Sequence, residues 1–292
     1  MYRFGVIGGD LRQSHLAKAL TEKGFMVSGY GLHEDIYQVP GIGRITSLKE
    51  NLKDCGVVLL PLPVTDDELA INALFSEKSI GIDELLDSVS KESLILGGKI
   101  SSEFYKKCLD RGLTVDDYFK REEMSVMNAI PTAEGAIQIA MEETAITIHG
   151  AKCLVTGYGR IAKVLVSRLK ALGAEVFVAV RKYEDLAWIR EGGCIPLKLK
   201  EMITFAEDYD VIFNTVPATI LGEDILSSIK ESCVVIDLAS KPGGVDFETA
   251  RKLGIKAIWA LSLPGKVAPI TAGEIIAHTV LNILYERGVL HE

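Results

Sequence analysis

The stretch Lys152-Cys153-Leu154-Val155-Thr156-Gly157-Tyr158-Gly159-Arg160-Ile161-Ala162 decides how this chain is read. Lys152 to Thr156 reads as a strand. The helix that follows puts Ile161, Leu165, Leu169 and Leu172 on one face at helical spacing, and Gly173 stops it. Between them lies Gly157-x-Gly159-x-x-Ala162. The first glycine allows a tight turn. The second lets a pyrophosphate approach the backbone, and Ala162 permits close helix–strand packing. The helix N-terminus favours the phosphate charge. Tyr158, Arg160 and Ile161 lie in the same turn and count with it as candidate cofactor contacts. A plain strand-to-helix turn would carry the same glycines, so the strand before and the amphipathic helix after are what point to a dinucleotide.

The second strand of this unit, Glu175–Val180, runs into Arg181 and Lys182. A chain built for NAD usually carries an acid about 20 residues past the loop, on the ribose 2′-hydroxyl. Here Arg181 follows Gly157 by 24 residues, and the next acid, Glu184, comes only after both cations. A 2′-phosphate gains from two cations where a bare hydroxyl gains little. NADP is therefore favoured, with NAD as the alternative. Further strands are expected at Cys194–Leu197, Asp210–Asn214, Cys233–Leu238 and Lys256–Leu261. Three of them end in polar loops. Asn214-Thr215-Val216-Pro217 places Asn214, Thr215 and Pro217 at the carboxyl edge, where a nicotinamide ribose would lie. Asp237-Leu238-Ala239-Ser240-Lys241-Pro242-Gly243-Gly244 brings a carboxylate, a hydroxyl and an ammonium to that edge, and Leu263-Pro264-Gly265-Lys266 adds another cation.

Strands and helices also alternate through the first half: Arg3–Ile7, a helix from about Arg12 to Lys23, then Phe25–Tyr30, Gly56–Leu60, Leu94–Leu96 and Leu113–Val115. His33 to Arg44 reads as a loop. The loop Gly8-Gly9-Asp10-Leu11-Arg12-Gln13 is a half-made phosphate fingerprint whose Asp10 and Arg12 intrude where a pyrophosphate wants bare backbone. It reads as a substrate-facing loop. Pro131-Thr132-Ala133-Glu134-Gly135 opens a long helix with Thr132 as N-cap, and Pro269-Ile270-Thr271-Ala272-Gly273-Glu274 opens another. The expected fold is α/β: two Rossmann-like, doubly wound parallel-sheet domains joined by two long helices. The domains are residues 1–128 on the substrate side, a linking helix 129–150, the nucleotide-binding domain 151–268 and a second linking helix 269–292.

The chain has 292 residues, 48% apolar and 25% charged, with a net charge of −8. This is the composition of a globular protein of two domains. The acidic balance disfavours nucleic acid as a partner. No apolar run approaches the ~18 residues of a spanning helix, and nothing at the start resembles a signal peptide, so a cytoplasmic protein without membrane contact is expected. The five cysteines are scattered, without a C-x-x-C pair, and read as buried, inert thiols. The five histidines form no metal-ligand spacing, and the zinc-peptidase, serine-hydrolase and P-loop motifs are absent. No metal is expected.

Taken in order, Gly8-Gly9-Asp10-x-Arg12-Gln13, Ile130-Pro131-Thr132-Ala133-Glu134-Gly135, Ile148-His149-Gly150, Gly157-x-Gly159-Arg160, Asn214-Thr215-Val216-Pro217, Asp237 to Gly244 and Leu263-Pro264-Gly265-Lys266-Val267-Ala268-Pro269-x-Thr271-Ala272-Gly273 resemble the dipicolinate synthase A-subunit family over nearly the whole chain. Lys241 departs from the arginine expected in that loop, and lysine cannot form the planar fork. The resemblance implies an oxidoreductase of the mother cell of a sporulating bacterium. Its reaction would convert a dihydrodipicolinate, or its hydroxy-tetrahydro precursor, to pyridine-2,6-dicarboxylate. It also implies a flavoprotein-like B-subunit of the same synthase as partner, and a homo-oligomer is expected.

Such a reaction needs a hydride acceptor and a proton acceptor. Asp10, Glu134 and Asp237 are the candidate proton acceptors, unranked. Two substrate carboxylates call for cations, which Arg12, Lys241 and Lys266 supply, with Thr132 and Ser240 as further substrate contacts. The competing arrangement holds the carboxylates on backbone N–H groups of the Gly8-Gly9 and Gly243-Gly244 turns. Two other readings stay open: an NADP-dependent enzyme of the alanine or hydroxyacid dehydrogenase type, and a nucleotide-binding scaffold inactive without its partner.

Overall fold

The computed structural model describes residues 2–291. The chain divides into two compact units, one made of the residues up to Asn128 with those from Ala268 onward, the other of Ala129–Val267.

The first unit is built on β1 (Arg3–Ile7), β2 (Met26–Tyr30), β3 (Ile42–Arg44) and β4 (Val57–Leu59), then a two-residue antiparallel pair, β5 (Ala70–Ile71) and β6 (Ile80–Gly81), and finally β7 (Leu94–Gly97) and β8 (Thr114–Asp117). Its main sheet is parallel throughout, in the order β3-β2-β1-β4-β7-β8. Its helices are α1 (Leu11–Glu22), α2 (Leu48–Asn51), α3 (Ile82–Ser88) and α4 (Ser102–Asp110). The stretch expected as a loop contains β3 and a 3-10 turn, Glu34–Gln38. At three residues, with Gly43 at its centre and Gly41 before it, an edge strand this short leaves no alternation to read.

Helix α5 (Glu122–Glu143) starts nine residues before Pro131, so Thr132 lies inside the helix and is not its cap. An interior proline removes one helical hydrogen bond and usually costs about 3 kcal/mol. Here the helix persists because both flanks are anchored: Met124 is buried in the first unit's core, while Ala133, Ala136, Ile137 and Ala140 are buried in the second's. Glu122 and Glu123 also suit the positive end of the helix.

The second unit carries β9 (Lys152–Thr156), β10 (Glu175–Val180), β11 (Ile195–Lys198), β12 (Val211–Asn214), β13 (Val234–Asp237) and β14 (Lys256–Trp259), all parallel, in the order β11-β10-β9-β12-β13-β14. Its helices are α6 (Arg160–Ala171), α7 (Tyr183–Glu191), α8 (Glu223–Leu226), α9 (Phe247–Lys252) and α10 (Leu263–Val267). Both sheets are doubly wound Rossmann-like sheets, with the switch point between the first strand and the fourth. In the second, the strands are apolar on both faces: Val155, Phe213 and Ile236 enter one core, and Leu154, Ile212 and Val235 the other. That is the pattern a sheet covered by helices on both sides requires.

The chain closes with α11 (Pro269–Glu286), which packs on α1 within the first unit. The contact is close because Gly273 has no side chain. A Cβ there would stand 2.7 Å from the Arg12 carbonyl oxygen and 2.7 Å from His15 Cβ. Arg121 locks the far end of α11 through two parallel bonds to Glu286, 2.7 and 2.6 Å long. Gly273→Val is therefore expected to lower unfolding free energy by about 1–3 kcal/mol through overpacking. Urea denaturation measures it, and an unchanged midpoint would contradict this packing.

Candidate active site

In the second unit the carboxyl ends of three strands carry a row of polar side chains. Thr156, Asn214 and Asp237 occupy the same register across β9, β12 and β13, so all three project from one face of the sheet. Thr156 Oγ1 donates to Asn214 Oδ1 at 2.6 Å, and Asn214 Nδ2 donates to Asp237 Oδ1 at 2.7 Å. Asp237 also accepts from the backbone N–H of Ala239 at 3.0 Å and of Gly244 at 2.8 Å. All three residues are 0% exposed. A buried carboxylate persists only when its oxygens are bonded, and here both are.

This row folds the loop after β13. Gly244 passes so close to Asn214 Nδ2 and the Val216 carbonyl that any side chain would collide with both. Gly243 has φ +86°, beside the Trp259 ring, and Trp259 donates from its indole nitrogen to the Ala239 carbonyl at 3.0 Å. Ser240 and Lys241 are left exposed at the tip. Lys266 is also exposed, on α10, where the sequence alone suggests a strand-end loop.

The glycine turn lies beside this row. Gly157 has φ +87°, and a Cβ there would stand 2.7 Å from Thr215 Oγ1. Thr215 Oγ1 donates to the Thr156 carbonyl at 2.7 Å. At Gly159 a Cβ would meet nothing within 4 Å. Gly159 caps α6 with no side-chain hydrogen bond, and Ala162 is fully buried behind it. Open space over a glycine, at a helix start without a side-chain cap, fits a dinucleotide pyrophosphate. Tyr158 and Ile161 are half-buried, Arg160 exposed, and Thr215 and Pro217 sit at the same edge. Asn214, by contrast, spends both ends of its amide inside the protein: Nδ2 also donates to the Val216 carbonyl at 3.0 Å, and Oδ1 accepts from the Val216 N–H at 3.1 Å.

Arg181 and Lys182 follow β10 as expected, and both are exposed. Lys182 Nζ is 3.0 Å from Glu184 Oε1. Lys198, at the end of β11, pairs in register with Val180 and reaches the Arg181 carbonyl with Nζ at 3.1 Å. No sequence spacing marked Lys198, because the register of β10 and β11 is what brings it to Arg181.

In the first unit the Gly8-Gly9 turn is closed by protein. Gly8 N–H donates to the Tyr30 carbonyl at 2.8 Å and Gly9 N–H to the Asn72 carbonyl at 2.6 Å. Gly243 N–H donates to Ser240 O at 2.8 Å, and Gly244 N–H is held by Asp237. The four amides that could have formed an alternative cradle for substrate carboxylates are thus already used.

Asp10 caps α1 by accepting from Arg12 N–H at 2.9 Å. Arg12 Nε donates to Asp10 Oδ1 at 2.9 Å and Oδ2 at 3.0 Å, and Nη2 to Asp10 Oδ2 at 2.8 Å and the Leu62 carbonyl at 2.6 Å. The Arg12 side chain is 11% exposed and that of Asp10 34%. Gln13, which the sequence did not single out, is 2% exposed, and its amide has no partner at either end. The Asp10-x-x-Gln13 spacing is that of a capping box, a signal that was present and whose bond is not made.

Glu134 lies elsewhere. It is exposed on α5 and faces Arg168 Nε at 3.3 Å. Arg168 is eight residues into α6, roughly 12 Å along the axis from the glycine turn. Thr132, on α5, is buried. All five cysteines are free and buried. Burial pushes the Cys55 thiol up to about 11 and those of Cys108, Cys153 and Cys233 up to about 12, so these four have almost no thiolate at neutral pH. Among the described residues no cluster of three or more His, Cys, Asp or Glu fits a metal, and no helix is long and apolar enough to cross a membrane.

Asp237→Ala would leave three buried donors unpaired. The expected loss is about 3 kcal/mol or more. Urea titration measures it, and a loss below about 1 kcal/mol would show that the row is not a structural clamp.

Comparison with known proteins agrees with this architecture. Residues 3–119 match the family model described as the N-terminal domain of the dipicolinate synthase A-subunit. The dipicolinate synthase A-subunit of Bacillus subtilis (strain 168) is 33% identical over 285 residues, covering 97% of this chain and 96% of that protein. The crystal structure of the dipicolinate synthase A-subunit from Bacillus halodurans, 32% identical, superposes with a TM-score of 0.87 over 97% of both chains. A transhydrogenase from Sinorhizobium meliloti shares the fold at 16% identity, with a TM-score of 0.73 over 98% of this chain and 94% of that one.

Proposed function

The chain belongs to the dipicolinate synthase A-subunit family, and from that premise we propose that it oxidises a dihydrodipicolinate, or its hydroxy-tetrahydro precursor, to pyridine-2,6-dicarboxylate with NADP. The open glycine turn at the start of α6 carries this reading, because bare backbone at a helix start with no side-chain cap suits the pyrophosphate of a dinucleotide. Gly157, Tyr158, Gly159, Arg160 and Ile161 would border the pyrophosphate, and Thr215 and Pro217 the nicotinamide ribose. Asn214 acts one step back, holding Val216 and Asp237 in place. When bound, the nicotinamide supplies the hydride acceptor. The hydroxy-tetrahydro form first loses water to give the dihydropyridine. One ring carbon of the dihydropyridine then gives up a hydride and its neighbour a proton, and aromaticity supplies much of the driving force. The protein's part is positioning and electrostatics.

Arg12, Lys241 and Lys266 are the proposed cations for the substrate carboxylates, with Thr132 and Ser240 as further contacts. With the four glycine amides engaged, the exposed Lys241 and Lys266 remain as carboxylate donors, and Arg12, whose Nε and Nη2 already donate to Asp10 and the Leu62 carbonyl, offers Nη1. Among the three candidate proton acceptors the geometry favours Asp10. Asp237 is sealed and holds a loop, and Glu134 lies beside Arg168, roughly 12 Å along α6 from the glycine turn, whereas Asp10, though paired with Arg12, opens at a strand end. Asp10 is a third exposed at the carboxyl edge of its own sheet. The naming of its relatives as one lettered component of a synthase supports a second component as partner, read here as the flavoprotein-like B-subunit. A homo-oligomer and a role in the mother cell of a sporulating bacterium complete the proposal.

The direct test follows absorbance at the nicotinamide band, with the ring precursor generated in situ and the chain assayed alone and with its partner. NADPH formation by the chain alone is expected. NADPH formed only when the partner is present would leave a nucleotide-binding scaffold, inactive alone, as the better reading, and no NADPH in either arrangement would overturn the oxidation itself.

Hydrogen bonds to charged groups contribute about 1.5–3 kcal/mol. Arg12→Met and Lys241→Met are therefore each expected to lower kcat/KM roughly tenfold to a hundredfold, with NADP affinity unchanged. Full kcat/KM in both variants would remove these residues from the substrate site.

A further inference from the structure

Beside the end of β10 a groove of about 680 Å³ opens between α7 and the chain that follows β11. Its lining includes Arg181, Tyr183, Arg190, Lys198 and Lys200. Four cations in one groove are unusual on a chain of net charge −8. Four like charges with a single carboxylate, Glu201, among them repel one another, so such a cluster points to an anion.

One cation is held in place before any ligand arrives. Lys198 is half-buried, with Nζ 3.2 Å from the centroid of the Tyr183 ring and 3.1 Å from the Arg181 carbonyl. A lysine side chain normally loses much rotamer freedom on binding. Here the ring and the carbonyl have already ordered it. Glu201 also lines the groove, but its Oε2 accepts from the Lys198 backbone N–H at 2.8 Å, which ties that carboxylate to the start of the next turn. Lys182, next in sequence to Arg181, does not line the groove and is paired with Glu184.

The groove lies at the end of the second strand of the nucleotide-binding sheet, beside the position that meets the adenine-side ribose. The geometry points to Lys198 as the specificity-determining residue for NADP, paired with Arg181 around the ribose 2′-phosphate, with Tyr183 as the platform that aims it. The ligand class is a ribose 2′-phosphomonoester. This rests on the NADP reading above and adds to it a residue from a different strand, with Lys182 outside the site. Arg181 offers the planar fork for phosphate oxygens and Lys198 a point charge. A bare 2′-hydroxyl engages neither strongly, so these two residues discriminate NADP from NAD and leave the rest of the dinucleotide untouched.

The test is calorimetric titration of the full chain with 2′,5′-ADP and with 5′-AMP, then with NADP and NAD. Wild-type protein is expected to bind 2′,5′-ADP at least tenfold more tightly than 5′-AMP, a preference that shrinks as salt is raised. Lys198→Met is expected to lose tenfold or more in 2′,5′-ADP and NADP affinity, with 5′-AMP and NAD affinity within twofold of wild type. Lys198→Arg keeps the charge and should recover most of the loss, which separates charge from packing against Tyr183. Lys198→Met with undiminished preference for 2′,5′-ADP, in a wild-type background that shows the preference, overturns the assignment of Lys198 alone. Wild-type protein that binds 5′-AMP as tightly as 2′,5′-ADP overturns the NADP reading and the groove with it.

Discussion

The buried carboxylate of Asp237 is the constraint on which the nucleotide-binding unit depends. A charge with no solvent contact has to find its hydrogen bonds within the protein, and Asp237 takes them from Asn214 and from two backbone amides of the loop after its own strand. Asn214 can donate because Thr156 and the Val216 amide satisfy its carbonyl end. Three strand ends and two loops are thereby fixed by a single connected row. Removing one member exposes the others to the same desolvation cost, which makes the row a cooperative unit. The parallel register is what permits it, since only in-register residues on neighbouring strands project side by side.

That row also decides what the carboxyl edge can present. The Gly243-Gly244 segment is drawn inward over Asn214, and its inward course leaves Ser240 and Lys241 exposed at the tip. Thr215 is held against the Thr156 carbonyl beside Gly157, which places the glycine turn next to the clamp. The polar residues thus divide by role. Thr156, Asn214 and Asp237 build the edge, and Ser240 and Lys241 stand exposed beside it.

The two sheets share a strand order but differ at the corresponding turn. In the first unit, Gly8 and Gly9 give their amides to Tyr30 and to Asn72, the latter in a segment that runs alongside Gly9. In the second, Gly159 faces open space at a helix start with no side-chain cap. The same local sequence chemistry yields a sealed turn in one case and an open one in the other. A nucleotide reading therefore attaches to the second unit alone. The sealed turn brings instead an Arg12–Asp10 pair and a buried, unbonded Gln13 amide. An orphaned amide is a feature that stability alone would not select.

The alternation of apolar strands with glycine-stopped helices, and the Gly157-to-Ala162 turn, were legible because both are local: strand and helix periods and glycine conformations act over a few residues. Both sheets, the helix that begins at Pro269 and the candidate cofactor turn follow from them. The start of α5 and the edge strand Ile42–Arg44 were not legible. Pro131 ends helices in isolation, and only anchoring in two separate cores carries this one through. The division of labour among the charged residues was hidden too. In sequence, Asp10, Glu134 and Asp237 are equivalent carboxylates. Burial, strand register and the distance from Glu134 to Arg168 separate them, and so does the pairing of β10 with β11 that carries Lys198 to Arg181. Which side chains build the edge and which stay free to meet a ligand is a matter of non-local pairing and desolvation, and these exist only once the strands have been set side by side.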